Sequence, residues 1–478
     1  MKHLIFSISL SALALVAFSQ KSGKTPGAPG SNTDKTEKKG QLPRYMDTTR
    51  VKVSDTPEKW SNGHFKAEGQ RNENGREQGK WTFFHDVGDK WAEGNFEDGK
   101  MVGCWTYWFK GGHIWSNQCY SDGLSTTWYY SGQKQMEGQI VGGLKDGPWK
   151  EWFETGQLKR EMTYIKGKLQ GKFTSYFKNG DIESSGAYVL DEKDGPWSWK
   201  HKDRTPDMEG NFVNGKQEGH WVFFDQKGKK ESEGDFKNGL AHGAFTYYYE
   251  NGKVMKTGEF VEDRKTGHWK TLYENGKREH EGDFLNGKET GLWTSWYENG
   301  QVKDKGKFNI GLLDSVWIGY FENEKTRYMA GYKDNMLHGT STYWHPNGKT
   351  EYIKNYDLGK PVGKWSEFYP DGKIKVSGEY IMGEKDGDWY NYYTTGQPVT
   401  YNHYKKGILS GASTTWYETG VKWMEGNYID GKKEGKWTTY TERGIVDKEI
   451  VYKEGKQQKI LKMPQEKSNE LQNVKGKR

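Results

Sequence analysis

The sequence is poor in the apolar residues that fill most protein cores. Leu, Ile, Val and Phe together make up roughly 16% of the 478 residues, and the mean hydropathy is −1.06. Such a composition is typical of disordered chains. The 22 Trp, 30 Tyr and 63 Gly exclude that interpretation, because disordered chains are poor in aromatic residues. Apolar burial must therefore come from aromatic rings.

Blocks of one charge are absent, and the one long apolar run lies at the N-terminus. The formal net charge of +7 is spread over alternating Lys and Glu, which does not indicate a nucleic-acid surface. The apolar run Leu4–Val16 follows Lys2 and precedes Ala17-Phe18-Ser19, whose small residues fit cleavage before Gln20. This is the pattern of a secretory signal peptide, with an uncleaved anchor as the alternative. We expect an exported protein of the periplasm, outer envelope or exterior, without a membrane span in its mature chain.

A 24-residue repeat fills most of the chain. Sixteen copies follow one another, and every interval is 24 residues except for 20 residues between 103 and 123. We number positions from the first residue of each copy, usually Gly, and name each copy by the number of that residue. The copies start at 79, 103, 123, 147, 171, 195, 219, 243, 267, 291, 315, 339, 363, 387, 411 and 435. Such constant spacing indicates a repeat protein.

Each copy has the pattern of a β-hairpin. Position 3 is usually Trp, position 6 is usually aromatic, and Asn-Gly or Asp-Gly often occupies positions 9 and 10, as at Asn299-Gly300. These pairs favour a two-residue type I′ turn, in which facing positions add up to 19. Trp293 at position 3 then lies opposite Gly306 at position 16, where its ring can cover the missing side chain. The density of Gly and the lack of 3.6-residue spacing exclude a helix.

These patterns predict an all-β fold. We expect an elongated array of about sixteen consecutive antiparallel β-hairpins in a single twisted meander sheet, with no substantial helix outside the signal peptide. The predicted parts are a signal peptide at 1–19, a disordered Gly/Pro/Lys/Thr linker at 20–57, the array at 58–455 and a charged flexible tail at 456–478.

Alternation along the strands divides the side chains between two faces. Positions 3, 7 and 18 and an aliphatic residue at 12 are expected on a packed face; in the 291 copy these are Trp293, Tyr297, Phe308 and Val302. Position 6 is expected on the polar face, where its ring either contacts a ligand or pairs with a neighbouring ring. The candidate ligand-contact residues are the tryptophans at position 6: Trp108, Trp128, Trp152, Trp296, Trp344 and Trp416.

Both cysteines lie in the copy that is followed by the short interval. Cys104 is at position 2 and Cys119 at position 17, so their positions add up to 19. We expect them to face each other across one hairpin and to form a disulfide in an oxidising compartment, with two free thiols as the alternative.

Residues suited to catalysis or metal binding form no differentiated cluster in the sequence. The twelve His are scattered, and no His, Cys or carboxylate group has metal-ligand spacing. Glu at position 15, such as Glu281, recurs in many copies, whereas a catalytic acid and base need one differentiated environment. We therefore expect a protein that is not an enzyme and has no catalytic, cofactor or metal site.

The stretches "GLWTSWYENGQVKDKGKFNIG" and "GHWKTLYENGKREHEGDFLNGKETG" resemble the MORN-repeat-variant family, the repeats of YwqK-type antitoxin proteins. The resemblance covers about residues 60–455. It implies consecutive hairpins in an extended twisted sheet, and a role in protein or lipid binding or as an antitoxin or immunity partner. It implies no catalytic residues.

The expected function is a non-catalytic exported scaffold or binding surface for another macromolecule at the cell envelope. The expected partner is a protein, which could be a toxin, or else an envelope glycan or lipid; nucleic acid is not expected. Two alternatives stay open: an antitoxin or immunity protein of a toxin–antitoxin module, and a cell-wall glycan-binding module that uses exposed aromatic residues.

Overall fold

A computed structural model describes residues 59–462, and all regular structure in that range is β-strand. The predicted class, an open antiparallel meander of consecutive β-hairpins, is confirmed. The predicted signal peptide and linker, and the tail beyond residue 462, lie outside the described residues. The described chain forms two compact units, residues 59–252 with 260–264 and residues 253–259 with 265–462.

The first unit is a meander in which each strand pairs antiparallel with the next. The short strand β10 pairs with β9, which also pairs with β11. The strands of this unit are β1 (Ala67–Arg71), β2 (Glu77–Phe84), β3 (Lys90–Glu97), β4 (Lys100–Trp108), β5 (Ile114–Cys119), β6 (Gly123–Trp128), β7 (Lys134–Val141), β8 (Leu144–Trp152), β9 (Leu158–Ile165), β10 (Lys168–Leu169), β11 (Gly171–Tyr176), β12 (Ile182–Val189), β13 (Glu192–Lys200), β14 (Pro206–Val213), β15 (Lys216–Phe224), β16 (Lys230–Lys237) and β17 (Leu240–Tyr248).

The second unit repeats the same meander, and β18 (Val254–Val261) has residues in both units. The remaining strands are β19 (Arg264–Leu272), β20 (Arg278–Leu285), β21 (Lys288–Trp296), β22 (Val302–Asn309), β23 (Leu312–Tyr320), β24 (Thr326–Lys333), β25 (Met336–Trp344), β26 (Thr350–Asp357), β27 (Lys360–Pro361), β28 (Gly363–Phe368), β29 (Ile374–Ile381), β30 (Glu384–Tyr392), β31 (Pro398–Lys405), β32 (Ile408–Trp416), β33 (Lys422–Ile429), β34 (Lys432–Tyr440), β35 (Val446–Lys453) and β36 (Lys456–Lys462).

The register within each hairpin follows the predicted sum of 19 until the strands approach the turn. In the 291 copy, Trp293 pairs with Gly306 and Ser295 with Asp304. A β-bulge then shifts the register, so that Trp296 at position 6 pairs with Val302 at position 12. The extra residue lies at position 13, so positions 11 and 12 near the turn change register while positions 14 to 18 keep the predicted one.

The turn at positions 9 and 10 differs from the predicted type I′ turn. Gly300 donates its N–H to the carbonyl of Tyr297 at 2.8 Å, and the Tyr297 N–H donates to Gln301 at 2.8 Å. Gly300 has φ +96°, whereas Asn299 is not among the residues with positive φ. The connection is therefore a three-residue loop with a left-handed glycine that forms a bulge. Asn299 contributes through its side chain, which accepts the Gln301 N–H at 2.9 Å.

The type I′ turn occurs instead between successive hairpins, at positions 20 and 21. Ile310 and Gly311 have φ values of +47° and +84°, and the flanking Asn309 and Leu312 are direct strand partners. A two-residue loop with both φ values positive is the geometry that matches strand twist. In several other copies position 20 is Asn or Asp, as at Asn286.

The bulge also corrects the predicted face of position 12. Val302 shares a side of the sheet with its partner Trp296, so position 12 lies on the polar face. Position 13 takes its place on the packed face, where Trp91 stands edge-on to Phe83 with ring centres 5.9 Å apart. A simple alternation from the turn could not show this, because it contains no extra residue.

The tryptophans at position 3 cover a different glycine from the one predicted. Trp221 lies over Gly210, at position 16 of the preceding copy, where an added Cβ would meet Trp221 Cδ2 at 2.1 Å. The indole Nε1 donates to the carbonyl of Asn211 at 3.1 Å. Likewise the Trp293 ring lies over Gly282 rather than over its register partner Gly306. The indole therefore joins successive copies.

This arrangement forms most of the packed face. Nine of these indoles are at most 6% exposed: Trp81, Trp105, Trp149, Trp197, Trp221, Trp269, Trp317, Trp389 and Trp437. Lysines at position 23 cover five of them, as where Lys265 Nζ lies 4.5 Å from the Trp269 ring centre. Burial lowers the pKa of Lys265. The face thus combines buried rings with lysine stems, which explains how a chain poor in aliphatic residues builds a core.

The ends of the array also carry strands. The partial copy before residue 79 supplies β1, and the Trp81 ring covers Gly69 as in the complete copies. The predicted tail begins at residue 456, but Lys456–Lys462 form β36 and pair with β35. The array therefore extends beyond the predicted boundary at residue 455, because Ile460 pairs with Ile450.

Candidate binding face

The six candidate tryptophans occupy equivalent places in the structure. Each is the last residue of its strand and lies, half-buried, on the polar face at the register shift. Trp108, Trp128 and Trp152 belong to consecutive copies, so neighbouring rings are two strands apart, about 10 Å. Trp296, Trp344 and Trp416 are separated by copies with other rings at position 6. The structure therefore brings three of the candidates together in one row.

Cations at position 12 lie over several of these rings. The charged group is 5.6 Å from the ring centre for Lys90 over Trp108. It is 5.9 Å for Lys134 over Trp152 and 5.5 Å for Arg278 over Trp296. In each pair the cation belongs to the copy before the ring. Sequence analysis missed these partners because it placed position 12 on the other face. Each contact covers part of an indole and fixes its orientation.

The same cations form ion pairs with Glu at position 15. Lys90 Nζ lies 2.7 Å from Glu93, and Lys134 Nζ lies 2.6 Å from Glu137. Hydrogen bonding from Lys90 holds the pKa of Glu93 below its ordinary value. The equivalent pairs in other copies are Lys230–Glu233, Arg278–Glu281 and Lys422–Glu425. These glutamates therefore occupy similar charged surroundings from copy to copy.

Several tyrosines at position 6 donate a hydrogen bond to the glutamate at position 15 of the preceding copy. Tyr440 donates to Glu425 at 2.6 Å, and Tyr176 donates to Glu161 at 2.8 Å. The hydrogen bond to Glu425, with burial, raises the pKa of Tyr440 to about 12. Tyr248 donates to Glu233 in the same way. Ring, cation and carboxylate thus form one recurring unit across two copies.

Position 7 holds the backbone of this row in place. The Tyr129 hydroxyl donates to the carbonyl of Trp152 at 3.0 Å, and Tyr393 donates to Trp416 at 3.1 Å. Tyr273 makes the equivalent bond to Trp296 at 2.7 Å. The copy before them therefore fixes the backbone of these three position-6 tryptophans, which preorganises this part of the face.

Cys104 and Cys119 are direct strand partners and are joined by a disulfide. Gly123 lies against both sulfur atoms, since an added Cβ would be 2.5 Å from Cys104 Sγ and 2.6 Å from Cys119 Sγ. The short interval between the copies brings this glycine onto the disulfide.

Two kinds of feature are absent from the described residues. Between residues 59 and 462, no group of three or more His, Cys, Asp or Glu is placed to hold a metal ion. The same stretch has no helix that is long and apolar enough to cross a membrane.

Seven segments of the chain match the MORN repeat variant family: residues 145–166, 217–238, 241–262, 265–286, 289–309, 337–358 and 361–382. These seven repeats therefore belong to the MORN repeat variant family, and the resemblance drawn from the sequence is confirmed. No curated protein matches the chain in sequence.

Solved structures give a weaker likeness. A crystal structure of TcdB2-TccC3-Cdc42 is 10% identical with a TM-score of 0.14, over 81% of this chain and 25% of that chain. The Tc holotoxin pore of Photorhabdus luminescens is 10% identical with a TM-score of 0.13, over 81% and 26% of the two chains. The chain spans about a quarter of the length of these proteins. At these scores the likeness carries no argument about function.

Proposed function

We propose that this chain is a non-catalytic exported repeat protein whose polar face is a binding surface for another macromolecule at the cell envelope. The observation that carries this proposal is the row of half-buried rings at position 6, of which Trp152, Trp296 and Trp416 are bonded through their backbone to the preceding copy. Preorganised aromatic residues with charged neighbours are typical of protein recognition surfaces. The partner that fits this surface best is a protein.

Export is supported by two features. The N-terminal residues 1–19 have the pattern of a signal peptide. The Cys104–Cys119 disulfide suits an oxidising compartment, because thiols in the cytosol are kept reduced.

We also propose that the protein is not an enzyme, because its charged pairs repeat from copy to copy. The Lys–Glu pair recurs with nearly the same geometry at Lys90–Glu93, Lys134–Glu137 and Lys422–Glu425. A catalytic acid and base need surroundings that push their pKa values apart. Lys–Glu pairs that repeat in this way have no such difference between them, and we assign them the role of ordering the polar face.

The test is capture of a partner from envelope fractions by the full mature chain and by a Trp296→Ala/Trp344→Ala variant. We expect the variant to lose at least about tenfold in affinity for the captured protein, because hot-spot aromatic residues dominate binding. The matched control is Trp423→Ala, which removes a 47% exposed indole at position 13, on the other face. Equal capture by all three proteins, with unchanged circular dichroism, would rule out the polar face as the binding surface.

Glycan binding is a second candidate, favoured by the half-buried indoles at Trp128, Trp344 and Trp416. Sugar rings stack on such indoles, whereas cations already occupy part of Trp108, Trp152 and Trp296. Sedimentation with purified cell wall, lost in Trp344→Ala, would favour this candidate. Capture of a toxin by the first experiment would identify the protein as an immunity partner.

A further inference from the structure

One stretch of the polar face breaks the pattern of the others. Ile318 on β23 and Met329 on β24 are direct strand partners, and Ile353 on β26 follows Met329 across Thr342. Val316 lies two residues from Ile318 on the same strand and face. Val316 is 50% exposed, Met329 41% and Ile353 37%. We call Val316, Ile318, Met329 and Ile353 the apolar patch.

Other copies place polar groups at the corresponding positions. In the 79 copy, Thr82 at position 4 donates to Glu93 at position 15 over 3.2 Å. In the 123 copy, Thr126 donates to Glu137 over 3.1 Å. The 315 copy has Ile318 and Met329 instead. The fold therefore does not require apolar residues here, and their exposure needs another explanation.

Basic residues border the apolar patch on one side. Lys305 is the direct strand partner of Ile318, and its Nζ lies 5.9 Å from the Tyr320 ring centre. Lys307 lies two residues further along β22, and its direct strand partner is Asp314. Position 15, which is Glu in many copies, is Lys305, Met329 and Ile353 in three consecutive copies. The apolar patch is thus bordered on one side by two lysines and one aspartate.

We propose that the apolar patch is a docking surface for an acidic protein segment that alternates apolar and carboxylate side chains. The apolar side chains of that segment cover Met329 and its neighbours, and its carboxylates reach Lys305 and Lys307. This proposal rests on the proposed function and assigns the site and chemistry of its partner.

Charge and shape separate this occupant from two others. A second copy of the chain would bring Lys305 and Lys307 of both chains to one interface, where they repel. A membrane surface requires side chains that reach about 5–10 Å into the headgroup region. Val316, Met329 and Ile353 are only 37–50% exposed on a sheet face, Ile318 is less exposed, and Thr342 lies among them. A flat, partly polar surface of this kind fits a protein segment.

The experiment measures binding of fluorescent synthetic peptides to the full mature chain by anisotropy. One peptide alternates Glu and Leu, and the other alternates Lys and Leu. We expect the Glu peptide to bind about tenfold more tightly than the Lys peptide. The triple variant Ile318→Thr/Met329→Glu/Ile353→Glu restores the pattern of the other copies, so it should fold. It should weaken binding of the Glu peptide by about tenfold or more.

Two further variants sharpen the result. Lys305→Glu should also weaken binding of the Glu peptide, because it reverses the charge that attracts the carboxylates. Ile429→Glu changes an aliphatic residue that is 52% exposed at a distant turn, and it should bind as the wild-type chain does. Circular dichroism and thermal melting confirm that each variant is folded.

Several outcomes would overturn the proposal. These are equal binding by the triple variant, no preference for the Glu peptide, or no peptide binding at all. Patch-dependent dimerisation in light scattering, or patch-dependent binding to anionic lipid vesicles, without peptide binding, would assign the patch to a different occupant. None of these results affects partner capture through Trp296 and Trp344, so the two proposals can fail separately.

Discussion

At the scale of single residues, position 16 decides where the next indole can lie. An added Cβ on Gly210 would come within 2.1 Å of Trp221, so that site tolerates no side chain. Where position 3 is Ser341, the preceding position 16 is Ala330 instead of Gly. Lys354 precedes Trp365, and that indole bonds to Glu367 at 3.3 Å rather than to the preceding copy. The two positions therefore behave as one packing unit.

His280 makes folding depend on pH. Burial and the charges of Lys265 and Lys256 lower its pKa to about 4, and its ring stacks on Trp293. Free histidine titrates near ~6.5, so between about pH 6.5 and 4 only the unfolded chain binds this proton. The free energy of unfolding therefore falls as the pH decreases through that window. In urea unfolding, His280→Gln should lose about 1 kcal/mol less than wild type between about pH 7 and 5, because solvent screens this half-exposed ring.

The control for that measurement is His220→Gln, which removes an exposed histidine from the polar face. It corrects for the loss of a titratable group at the surface. If the free energy of unfolding of His280→Gln and wild-type chains fell equally over this pH range, His280 would not be the cause.

At the scale of elements, two different turns alternate along the chain. The loop at positions 8 to 10 needs one left-handed glycine, whereas the type I′ turn at positions 20 and 21 needs two residues with positive φ. Ile310 occupies the first of these with φ +47°, a conformation that is costly for a β-branched side chain. Asn238 and Asn286 adopt it in other copies with φ +54° and +50°.

Ile310→Asn should therefore stabilise the protein. Ile310 is 52% exposed, so little burial is lost, and Asn tolerates the left-handed conformation. We expect the free energy of unfolding to rise by about 1 kcal/mol in urea titration. The matched control is Ile381→Asn, which changes a 53% exposed isoleucine without positive φ. A gain of the same size in both variants would show that backbone strain at residue 310 is not the reason.

The sequence predicts the elements well and their turns less well. The hairpins and the pairing of Trp293 with Gly306 follow from the repeat and from facing positions that add up to 19. Asn299-Gly300 suits both a type I′ turn and a loop with one left-handed glycine, so composition alone does not choose between them. The bulge follows from that choice, and it moved Val302 and its equivalents to the polar face.

At the largest scale, stabilising contacts run from one copy to the next within each compact unit of the described chain. Asp146 at position 24 accepts the N–H of Lys166 in the following copy at 3.0 Å, and Asp386 accepts that of Lys406 at 3.0 Å. Tyr297 donates to the carbonyl of Tyr320 at 2.8 Å. Stability in such an array is a sum of nearest-neighbour terms.

The candidate site could be predicted from the sequence only in part. The six tryptophans at position 6 could be found from the repeat alone, since the motif fixes their place. Their cations at position 12 could not, because the bulge that brings Lys90 to Trp108 is not visible in the spacing. Met329 and Ile353 do carry a sequence signal, as apolar residues at a position that is often Glu. That signal becomes useful only once position 15 is known to face outward.

The central claim is that, wherever position 3 is Trp and the preceding position 16 is Gly, the indole lies over that glycine and joins the copy to the one before it. A double-mutant cycle with Gly210→Ala and Trp221→Ser in urea unfolding tests this most directly. We expect Gly210→Ala to cost about 2–3 kcal/mol in the wild-type chain and under about 1 kcal/mol beside Trp221→Ser, because the clash is then relieved. The two changes together recreate the pairing seen at Ala330 and Ser341. Costs that simply add would contradict the claim.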